Sequence, residues 1–274
     1  MTTAPAHVSA NVERFMGFAD VYDAYRPRPP LAVLDILTQL AQVPQPALVV
    51  DLGSGTGLST TIWAGRAAAV VGVEPSADMR RQAEARTAAL PDAAHVRYQE
   101  GYANATGLPD ACADIVTCSQ SLHWMEPDTT FAEIARILRP GGVFAAYDCD
   151  WPPTVGWAIE QAHQTFVAQL RAAEQTHAFS RDVRSWNKQQ HLERLRASGQ
   201  FRLTKEIVLH HVEQGGAERL VGLELSQGGV ATLVKNGVSE AEIGITALRE
   251  AAYAALGDAI VPWYFSYRVR LGVK

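Results

Sequence analysis

A short apolar run that passes directly into three alternate glycines constrains this chain more than any other feature. Residues 49–57 read VVDLGSGTG, with glycines at 53, 55 and 57. Glycine adopts positive φ angles easily and lets a ligand come close to the backbone. Open α/β sheets bind their ligands at such turns, at the carboxyl ends of strands. The segment therefore predicts an α/β fold with a binding site at residue 53 and beyond.

Strand-like and helix-like segments alternate after this loop. Further strands are predicted at 70–74, 95–99, 113–118 and 142–147, and the helices between them at 58–65, 76–90 and 128–138. Continuous apolar strands with helical crossovers indicate a mostly parallel sheet. Two more strands, at 201–212 and 260–271, flank a helical insertion, which brings the sheet to seven strands. We expect helices on both faces of this sheet and a helical lid.

The same pattern predicts one domain over residues 1–274, with a binding core at about 42–150. Helical cap elements are expected at 13–41, about 151–200 and 213–258, with residues 1–12 as a loose tail. The sequence RPRPP at 26–30 breaks the first of these elements, because proline removes a backbone donor and stops a helix.

Charge and composition exclude several classes of partner. The net charge is −5 and no basic stripe is present, so we expect no nucleic-acid partner. The longest charge-free run has 15 residues and two prolines, too few for the roughly 20 that a membrane span needs. Three cysteines without CxxC spacing indicate a cytoplasmic protein and no zinc site. A monomer or a homodimer is expected.

Two acids beside the loop narrow the ligand class. Dinucleotide and P-loop motifs both fail, because Leu58 replaces the third dinucleotide glycine and no Gly-Lys-Ser/Thr follows. Asp51 precedes the first glycine and suits a ligand that carries an ammonium group. Glu74 ends the second strand 23 residues later, where an acid can accept both ribose hydroxyls. Together they indicate a nucleoside that carries an amine and no phosphates.

At this point the chain resembles the class I S-adenosylmethionine (SAM)-dependent methyltransferases. The matching segments are VVDLGSGTG, VVGVEPSADM, YQEGYANATGLPDACADIVTCSQSLHWM and RILRPGGVF, in that order. His123-Trp124 after the fourth strand is similar to the small-molecule branch that includes trans-aconitate methyltransferase-like proteins. The resemblance implies a Rossmann-like fold, SAM as cofactor and transfer of its methyl group to a small acceptor, at oxygen or carbon, with a carboxylate or a specialised metabolite as candidate acceptors.

Residue roles follow from the resemblance position by position. It implies that the methionine part of SAM lies on the loop, the ribose on Glu74 and the adenine on the segments after strands two and three. Many relatives have an aspartate where this chain has Tyr102, so the adenine edge departs from the pattern. The implied cofactor residues are Tyr22, Tyr25, Arg26, Asp51, Gly53, Ser54, Gly55, Gly57, Glu74, Pro75, Met79, Gly101, Tyr102, Ala103 and Ser119.

Catalysis needs alignment of nucleophile, methyl and sulfur, and in some cases a base. His123 is the candidate base, and Tyr22 is a candidate aromatic face for the sulfonium. Trp124, Trp151 and Ser226 are candidate acceptor residues, and the stretch that begins at Asp148 belongs to the same region. Two alternatives stay open: a SAM-binding enzyme that does other chemistry, and a non-catalytic SAM-binding regulator.

Overall fold

The computed structural model describes residue 11, residues 19–179 and residues 183–274. Seven strands form one sheet in the order β3-β2-β1-β4-β5-β7-β6. They are β1 (Val49–Leu52), β2 (Val70–Val73), β3 (Val96–Gln99), β4 (Ala113–Ser119), β5 (Leu138–Cys149), β6 (Leu203–Gly215) and β7 (Val261–Val273). The predicted α/β class and the seven-stranded sheet are confirmed, and both tail strands are present.

Ten α-helices lie in the described residues. They are α1 (Ala19–Tyr25), α2 (Ala32–Ala41), α3 (Ala77–Ala88), α4 (Pro127–Ile137), α5 (Trp157–His177), α6 (His191–Ala197), α7 (Ala217–Leu225), α8 (Gly228–Lys235), α9 (Glu240–Ile243) and α10 (Ile245–Leu256). Short 3₁₀ turns cover Thr61–Trp63, Leu122–Trp124 and Lys188–Gln190. The break between α1 and α2 falls at the proline segment, as predicted.

The pairing makes the sheet mostly parallel. Strand β1 pairs in parallel with β2 and with β4, β2 with β3, and β4 with β5. Strand β7 is antiparallel to β5. Because β1 and β4 are neighbours although two strands separate them in the chain, the sheet has a topological switch point between their carboxyl ends.

Alternate strand residues supply two apolar cores, one on each face of the sheet. One core joins Val49, Ile115 and Val143 to buried residues of α2. The other joins Val50 and Val116 to buried residues of α4. Burial on both faces explains why the parallel strands are continuous apolar runs rather than alternating ones.

Several predicted helices differ from the structure. Residues 58–65 form no α-helix and hold only the turn Thr61–Trp63, because Ser and Thr hydroxyls there bond to nearby acceptors and compete with a helix. Helix α4 ends at Ile137, so the pair Gly141-Gly142 lies within β5 instead of closing the helix. The helical segment predicted from residue 151 to residue 196 is confined to α5 and α6.

The chain divides into two compact units. The cap unit contains residues 1–27, 150–183 and 210–266, and the core unit contains residues 28–149, 184–209 and 267–274. The single-domain boundary stays a prediction, and the predicted tail at 1–12 lies outside the described residues except for residue 11. Within the part of the chain that the structure describes, no helix is long and apolar enough to cross a membrane.

Candidate functional site

The carboxyl ends of the parallel strands of the core unit lie along one edge of the sheet. Asp51 is next to the end of β1, Glu74 follows β2, Ser119 ends β4 and Asp148 is next to the end of β5. Chain segments leave β1 and β4 on either side of the switch point, so a crevice opens between them. The residues predicted from the glycine motif therefore share one edge with Ser119 and Asp148.

The three glycines of the loop have different reasons to be glycine. All have positive φ, at 65°, 54° and 80° for Gly53, Gly55 and Gly57. A Cβ on Gly53 would come within 2.8 Å of Ser121 Cβ, and one on Gly57 would overlap the Tyr98 hydroxyl. A Cβ on Gly55 would meet nothing within 4 Å. Packing thus requires the outer two, whereas Gly55 faces open space that a ligand can enter.

Glu74 joins the loop to the second strand. Its Oε2 accepts a hydrogen bond from the Gly55 N–H at 3.0 Å, and its Oε1 accepts one from Ser76 at 2.9 Å. The side chain is buried, and burial raises the pKa of this carboxyl. Each oxygen has a second lone pair, so the group can still accept two hydroxyl donors. Its place beside the open face of Gly55 suits a ribose.

Asp51 lies entirely under the loop. Its Oδ2 accepts hydrogen bonds from Ser59 at 2.6 Å and from Thr60 at 2.7 Å, and its Oδ1 accepts one from Thr117 at 2.8 Å. The residue has no exposed surface, and burial raises its pKa. These contacts fix the loop against β4. Direct contact between Asp51 and a ligand would require exchange of one of these hydrogen bonds, so that assignment stays a prediction.

Two hydroxyls of the loop are buried without a hydrogen-bond partner among the described residues. They belong to Ser54, which is 5% exposed, and to Thr56, which is 1% exposed. Buried hydroxyls usually have a partner, so each such group calls for one. Together with the space at Gly55 and the spare lone pairs of Glu74, they fit a polar nucleoside with hydroxyl and amine groups.

The predicted adenine residues flank this loop in the sequence and differ in exposure. Ser76 caps α3 by accepting from the Met79 N–H at 3.4 Å, and Met79 is buried. Gly101 and Ala103 are half-buried, whereas Tyr102 is 36% exposed. Pro75 is half-buried. Their roles stay predictions.

Sequence reasoning missed Tyr98 and Glu133. The Tyr98 ring fills the space above Gly72 and Gly57, and its hydroxyl lies 3.0 Å from the Thr87 hydroxyl. Glu133 anchors the segment after β3, accepting from the Thr106 N–H at 2.9 Å. A hydrogen bond from Arg136 lowers the pKa of Glu133 to about 2. A tyrosine at the end of a short strand and an acid on a helix carry no motif that could have revealed them.

The segment after β4 brings His123 to the same edge. Ser119 is half-buried, and the next serine, Ser121, donates to the Leu52 carbonyl at 2.8 Å, which ties this segment to β1. The His123 ring packs against Trp124 with 4.5 Å between ring centroids. Its Nδ1 lies 3.7 Å from Asp148 Oδ1, and the side chain is 12% exposed. His123 is therefore near the switch point with an acid behind it.

Asp148 is the centre of a buried group of charges that we call the Asp148 cluster. Its Oδ1 lies 2.9 Å from Lys188 Nζ, and its Oδ2 lies 3.1 Å from Arg270 Nη1. Arg270, only 2% exposed, also donates to Glu206 at 2.8 Å. The cluster comprises His123, Asp148, Lys188, His191, Glu206 and Arg270. Only His123 and Asp148 were noticed in the sequence, because the others come from distant segments.

The pKa of His191 indicates that the Asp148 cluster is shielded from solvent. The residue is 2% exposed, and burial lowers the pKa of its imidazole to about 4, with Arg270 and Lys188 acting in the same direction. The Asp148 charge opposes this shift but is outweighed. His191 is therefore neutral in the folded protein at physiological pH.

In the cap unit, four predicted residues come together around Arg26. Its guanidinium lies 4.9 Å from the centre of the Tyr22 ring and 5.5 Å from that of Trp151, and it donates to the Ser226 carbonyl at 3.0 Å. Tyr25 packs on Gly222, where any Cβ would overlap its ring. The Ser226 hydroxyl is buried and donates to Leu223 at 2.6 Å, so Ser226 offers its carbonyl instead. The cofactor and acceptor roles of these residues stay predictions.

No cluster of three or more potential metal ligands occurs in the described ranges, which omit residues 1–10, 12–18 and 180–182. Cys112, Cys118 and Cys149 form no disulfide in the described part of the chain. The sheet edge presents carboxylates, hydroxyls, backbone N–H groups and the imidazole of His123.

Comparison with known proteins agrees with this geometry. The family model of the methyltransferase domain matches residues 50–146, the stretch that holds the glycine loop, Glu74 and His123. That stretch of the chain therefore matches a methyltransferase domain, as the resemblance found in its motifs predicted.

Two of the relatives each match about half of the chain. An uncharacterized methyltransferase from Mycobacterium tuberculosis H37Rv is 34% identical over 139 residues, which are 51% of this chain and 53% of the relative. A trans-aconitate 2-methyltransferase from Afipia carboxidovorans is 35% identical over 49% of this chain and 48% of its own. The chain thus matches about half the length of these curated relatives.

A solved structure extends the fold likeness to most of the chain. A candidate type II methyltransferase from Anaeromyxobacter dehalogenans has a TM-score of 0.65 at 23% identity and covers 91% of this chain and 98% of its own. At that identity the likeness concerns the fold, which is the predicted Rossmann-like methyltransferase fold.

Proposed function

We propose that the protein is a methyltransferase that uses SAM as methyl donor and a small molecule as acceptor. One observation carries the proposal: Gly55 faces open space while its N–H is bound by the buried carboxylate of Glu74. A nucleoside in that space has its ribose hydroxyls beside the lone pairs of Glu74. The glycine backbone then lies against the aminoacyl part, with no side chain in the way.

Each part of the loop has a role in this proposal. Glu74 holds the ribose, and Gly53, Ser54, Gly55 and Gly57 line the methionine part. Asp51 acts from beneath by fixing the loop through Ser59, Thr60 and Thr117. Pro75, Met79 and residues 101–103 border the adenine, and Ser119 faces the methionine part.

The cofactor, when bound, supplies a methyl group already activated by the adjacent sulfonium charge. The protein then has to hold the acceptor in line with that methyl group and keep water out. Such positioning is worth on the order of 7–11 kcal/mol. His123 stands at the carboxyl end of β4 and is the group placed to remove a proton from the acceptor.

The acceptor is proposed to be small and to be methylated at oxygen or carbon. The relative from Afipia carboxidovorans is a trans-aconitate 2-methyltransferase, which supports a small-molecule acceptor of some kind. Trp124 packs on His123 and is proposed to form a wall of the acceptor space. We further propose a monomer or a homodimer in the cytoplasm, a compartment in which cysteines stay unlinked by disulfides.

Calorimetric titration tests the donor site. We expect SAM and S-adenosylhomocysteine to bind competitively and NAD to give no heat. Glu74→Gln should weaken SAM binding at least about tenfold, since a hydrogen bond to a charged group is worth about 1.5–3 kcal/mol. Glu84→Gln is the matched control, because Glu84 is an exposed acid on α3, and should bind SAM as the wild type does.

Acceptor turnover tests the reaction. Purified protein, SAM with a labelled methyl group and a panel of small hydroxyl, phenol, carbonyl and carboxylate compounds should give a labelled product. Binding of SAM without any labelled product, together with turnover of an acceptor, would favour other chemistry on the same fold. Absence of SAM binding to the wild type would contradict the proposal itself. A Glu74→Gln variant that binds SAM as tightly as the wild type would contradict the ribose role of Glu74.

A further inference from the structure

We propose that Asp148 is a positioning residue that fixes the imidazole of His123 with its proton on Nδ1, so that Nε2 accepts a proton from the methyl acceptor. This inference rests on the proposed function for its purpose, although the geometry behind it lies entirely in the core unit. It also defines the acceptor class: a molecule that loses a proton when it is methylated.

The first step is the direction in which the Asp148 carboxylate points. Asp148 lies near the carboxyl end of β5 and is 4% exposed. Its Oδ2 is occupied by Arg270 at 3.1 Å. Its Oδ1 faces two groups, Lys188 Nζ at 2.9 Å and His123 Nδ1 at 3.7 Å. Arg270 thus orients the carboxylate, and Oδ1 is directed toward the imidazole.

The second step is the position of the imidazole. The ring of His123 rests against Trp124, and its backbone carbonyl accepts from the Trp186 N–H at 2.8 Å. The segment that contains Trp186 also supplies Lys188, whose Nζ donates to Gln120 at 3.2 Å. The ring is therefore packed on Trp124, and the backbone that carries it is tied to the segment that contains Trp186 and Lys188. A small approach closes the 3.7 Å gap to a hydrogen bond.

The third step is the consequence for the tautomer. A carboxylate accepts hydrogen bonds and donates none, so the ring nitrogen that faces it carries the proton. The other nitrogen of a neutral imidazole is then an acceptor. Lys188 and Arg270 offset the charge of Asp148, and Glu206 in turn pairs with Arg270. His191, the other imidazole of the cluster, is buried and neutral, so it adds no charge.

The reaction step balances with these groups alone and the methyl donor. The acceptor X–H bond breaks and its proton passes to His123 Nε2, while the electron pair left on X forms a bond to the methyl carbon. The methyl–sulfur bond breaks and its electron pair stays on sulfur. The imidazolium that results is stabilised by Asp148, and it later releases its proton to water. A carboxylate acceptor is already ionised and has no use for this arrangement.

Nuclear magnetic resonance on the full chain, labelled with ¹⁵N in its histidines, tests the proposal without any acceptor. Two-bond ¹H–¹⁵N correlations show which ring nitrogen of a neutral imidazole is protonated, and His123→Gln assigns the signals. We expect the Nδ1-protonated form to be the major form of His123. In Asp148→Asn the amide oxygen stays with Arg270, so the amide N–H takes the Oδ1 position that faces Nδ1. The Nε2-protonated form should then become the major one.

Glu206→Gln is the matched control, because it changes a carboxylate that pairs with Arg270 and leaves the one that faces His123 in place. It should leave the tautomer unchanged. Lys188→Met tests the same point in a variant that keeps Asp148 paired with Arg270, and should keep the Nδ1-protonated form. A wild-type His123 protonated on Nε2, or a tautomer that is the same in Asp148→Asn, would overturn the proposal.

Failure of this proposal and failure of the proposed function give different results. SAM titration of the wild type reports on the donor site and does not involve the tautomer of His123. If the protein binds SAM but His123 is protonated on Nε2, the proposed function stands and the positioning role of Asp148 is wrong. If His123 has the expected tautomer but the protein does not bind SAM, the positioning role stands and the proposed function is wrong.

Discussion

The glycine loop and the Asp148 cluster lie on the same edge of one sheet but are built in opposite ways. In the loop, the carboxylates of Asp51 and Glu74 take hydrogen bonds from hydroxyls and backbone N–H groups. In the cluster, Asp148 and Glu206 take theirs from cationic side chains. One region keeps its negative charge uncompensated by ion pairs, and the other balances it.

The difference matches the two chemical tasks proposed for the edge. Uncompensated carboxylates attract a ligand that carries an ammonium and a sulfonium charge. A balanced cluster attracts neither sign strongly, so it can hold an uncharged acceptor and stabilise a proton as it moves. Burial raises the pKa of Asp51 and of Glu74 and at Glu74 outweighs the opposing charge of Arg80, which is consistent with a site that gains from a cationic ligand.

Removing a cation from the cluster should have the largest effect on stability. Arg270 is 2% exposed and contacts two carboxylates, so Arg270→Met leaves both partly unpaired. Breaking a buried ion pair in this way costs about 3–5 kcal/mol. We expect the free energy of unfolding in urea to fall by about 4 kcal/mol.

Arg66→Met is the matched control for that loss. Arg66 and its partner Asp35 have side chains 43% and 71% exposed. An exposed ion pair is worth at most about 1 kcal/mol, so this variant should unfold nearly as the wild type does. Equal losses in the two variants would mean that the Asp148 cluster is solvated, and the contrast with the glycine loop would disappear.

The second prediction concerns stability against pH. His191 has a folded pKa of about 4, below its ordinary value of 6.5, because burial penalises the charged ring. The unfolded chain therefore binds more protons between these values, and stability is full above 6.5 and falls as the pH drops toward 4. The difference corresponds to about 3 kcal/mol. His191→Met should remove this loss, as followed by urea unfolding at a series of pH values.

Glu133 supplies the internal reference for this measurement. Its pKa falls from 4.5 to about 2 through the hydrogen bond from Arg136, so its contribution is present above 4.5 and is lost only as the pH falls toward 2. The stability of His191→Met should therefore still fall below pH 4.5, but it should no longer fall between pH 6.5 and pH 4.5. A variant with the wild-type slope between 6.5 and 4 would show that His191 is not the group responsible.

The glycine loop could be predicted from the sequence because its motif and its contact with Glu74 are local. Gly55 and Glu74 are 19 residues apart, and their contact follows from a strand, a turn and the next strand. The contact between Asp51 and Thr117 spans 66 residues and was not predicted. The strands could also be predicted, because burial on both faces of the sheet leaves continuous apolar runs in the sequence. The helix expected at 58–65 was wrong because the hydroxyls of Ser59 and Thr60 bind Asp51, a contact that periodicity does not reveal.

The Asp148 cluster could be predicted only in part. His123 and Asp148 follow strands and were noticed for that reason. Arg270 lies 122 residues from Asp148, on a strand that pairs antiparallel with β5, and its register is set by the whole sheet. No local pattern marks a buried arginine as the partner of a particular acid. Side-chain networks that join distant strands are visible only once the topology is known.

The smallest expected effects come from a pair of glycine variants that separates stability from binding. Gly55→Ala puts a methyl group into open space, so it costs only the roughly 1–2 kcal/mol of a positive φ in alanine. Gly57→Ala has the same cost and also overlaps the Tyr98 hydroxyl, so it should be the less stable variant in thermal unfolding.

The order of the two variants should reverse for SAM. The methyl of Gly55→Ala occupies the space where the ligand lies against the loop, and calorimetry should show affinity lowered at least about tenfold, or 1.4 kcal/mol. The methyl of Gly57→Ala points into the protein toward Tyr98 and Ala83, so its effect on affinity is indirect and smaller. If Gly55→Ala binds SAM as tightly as the wild type does, the open face of the loop is not the donor site. The charge contrast between the two regions then has no cationic ligand to explain it.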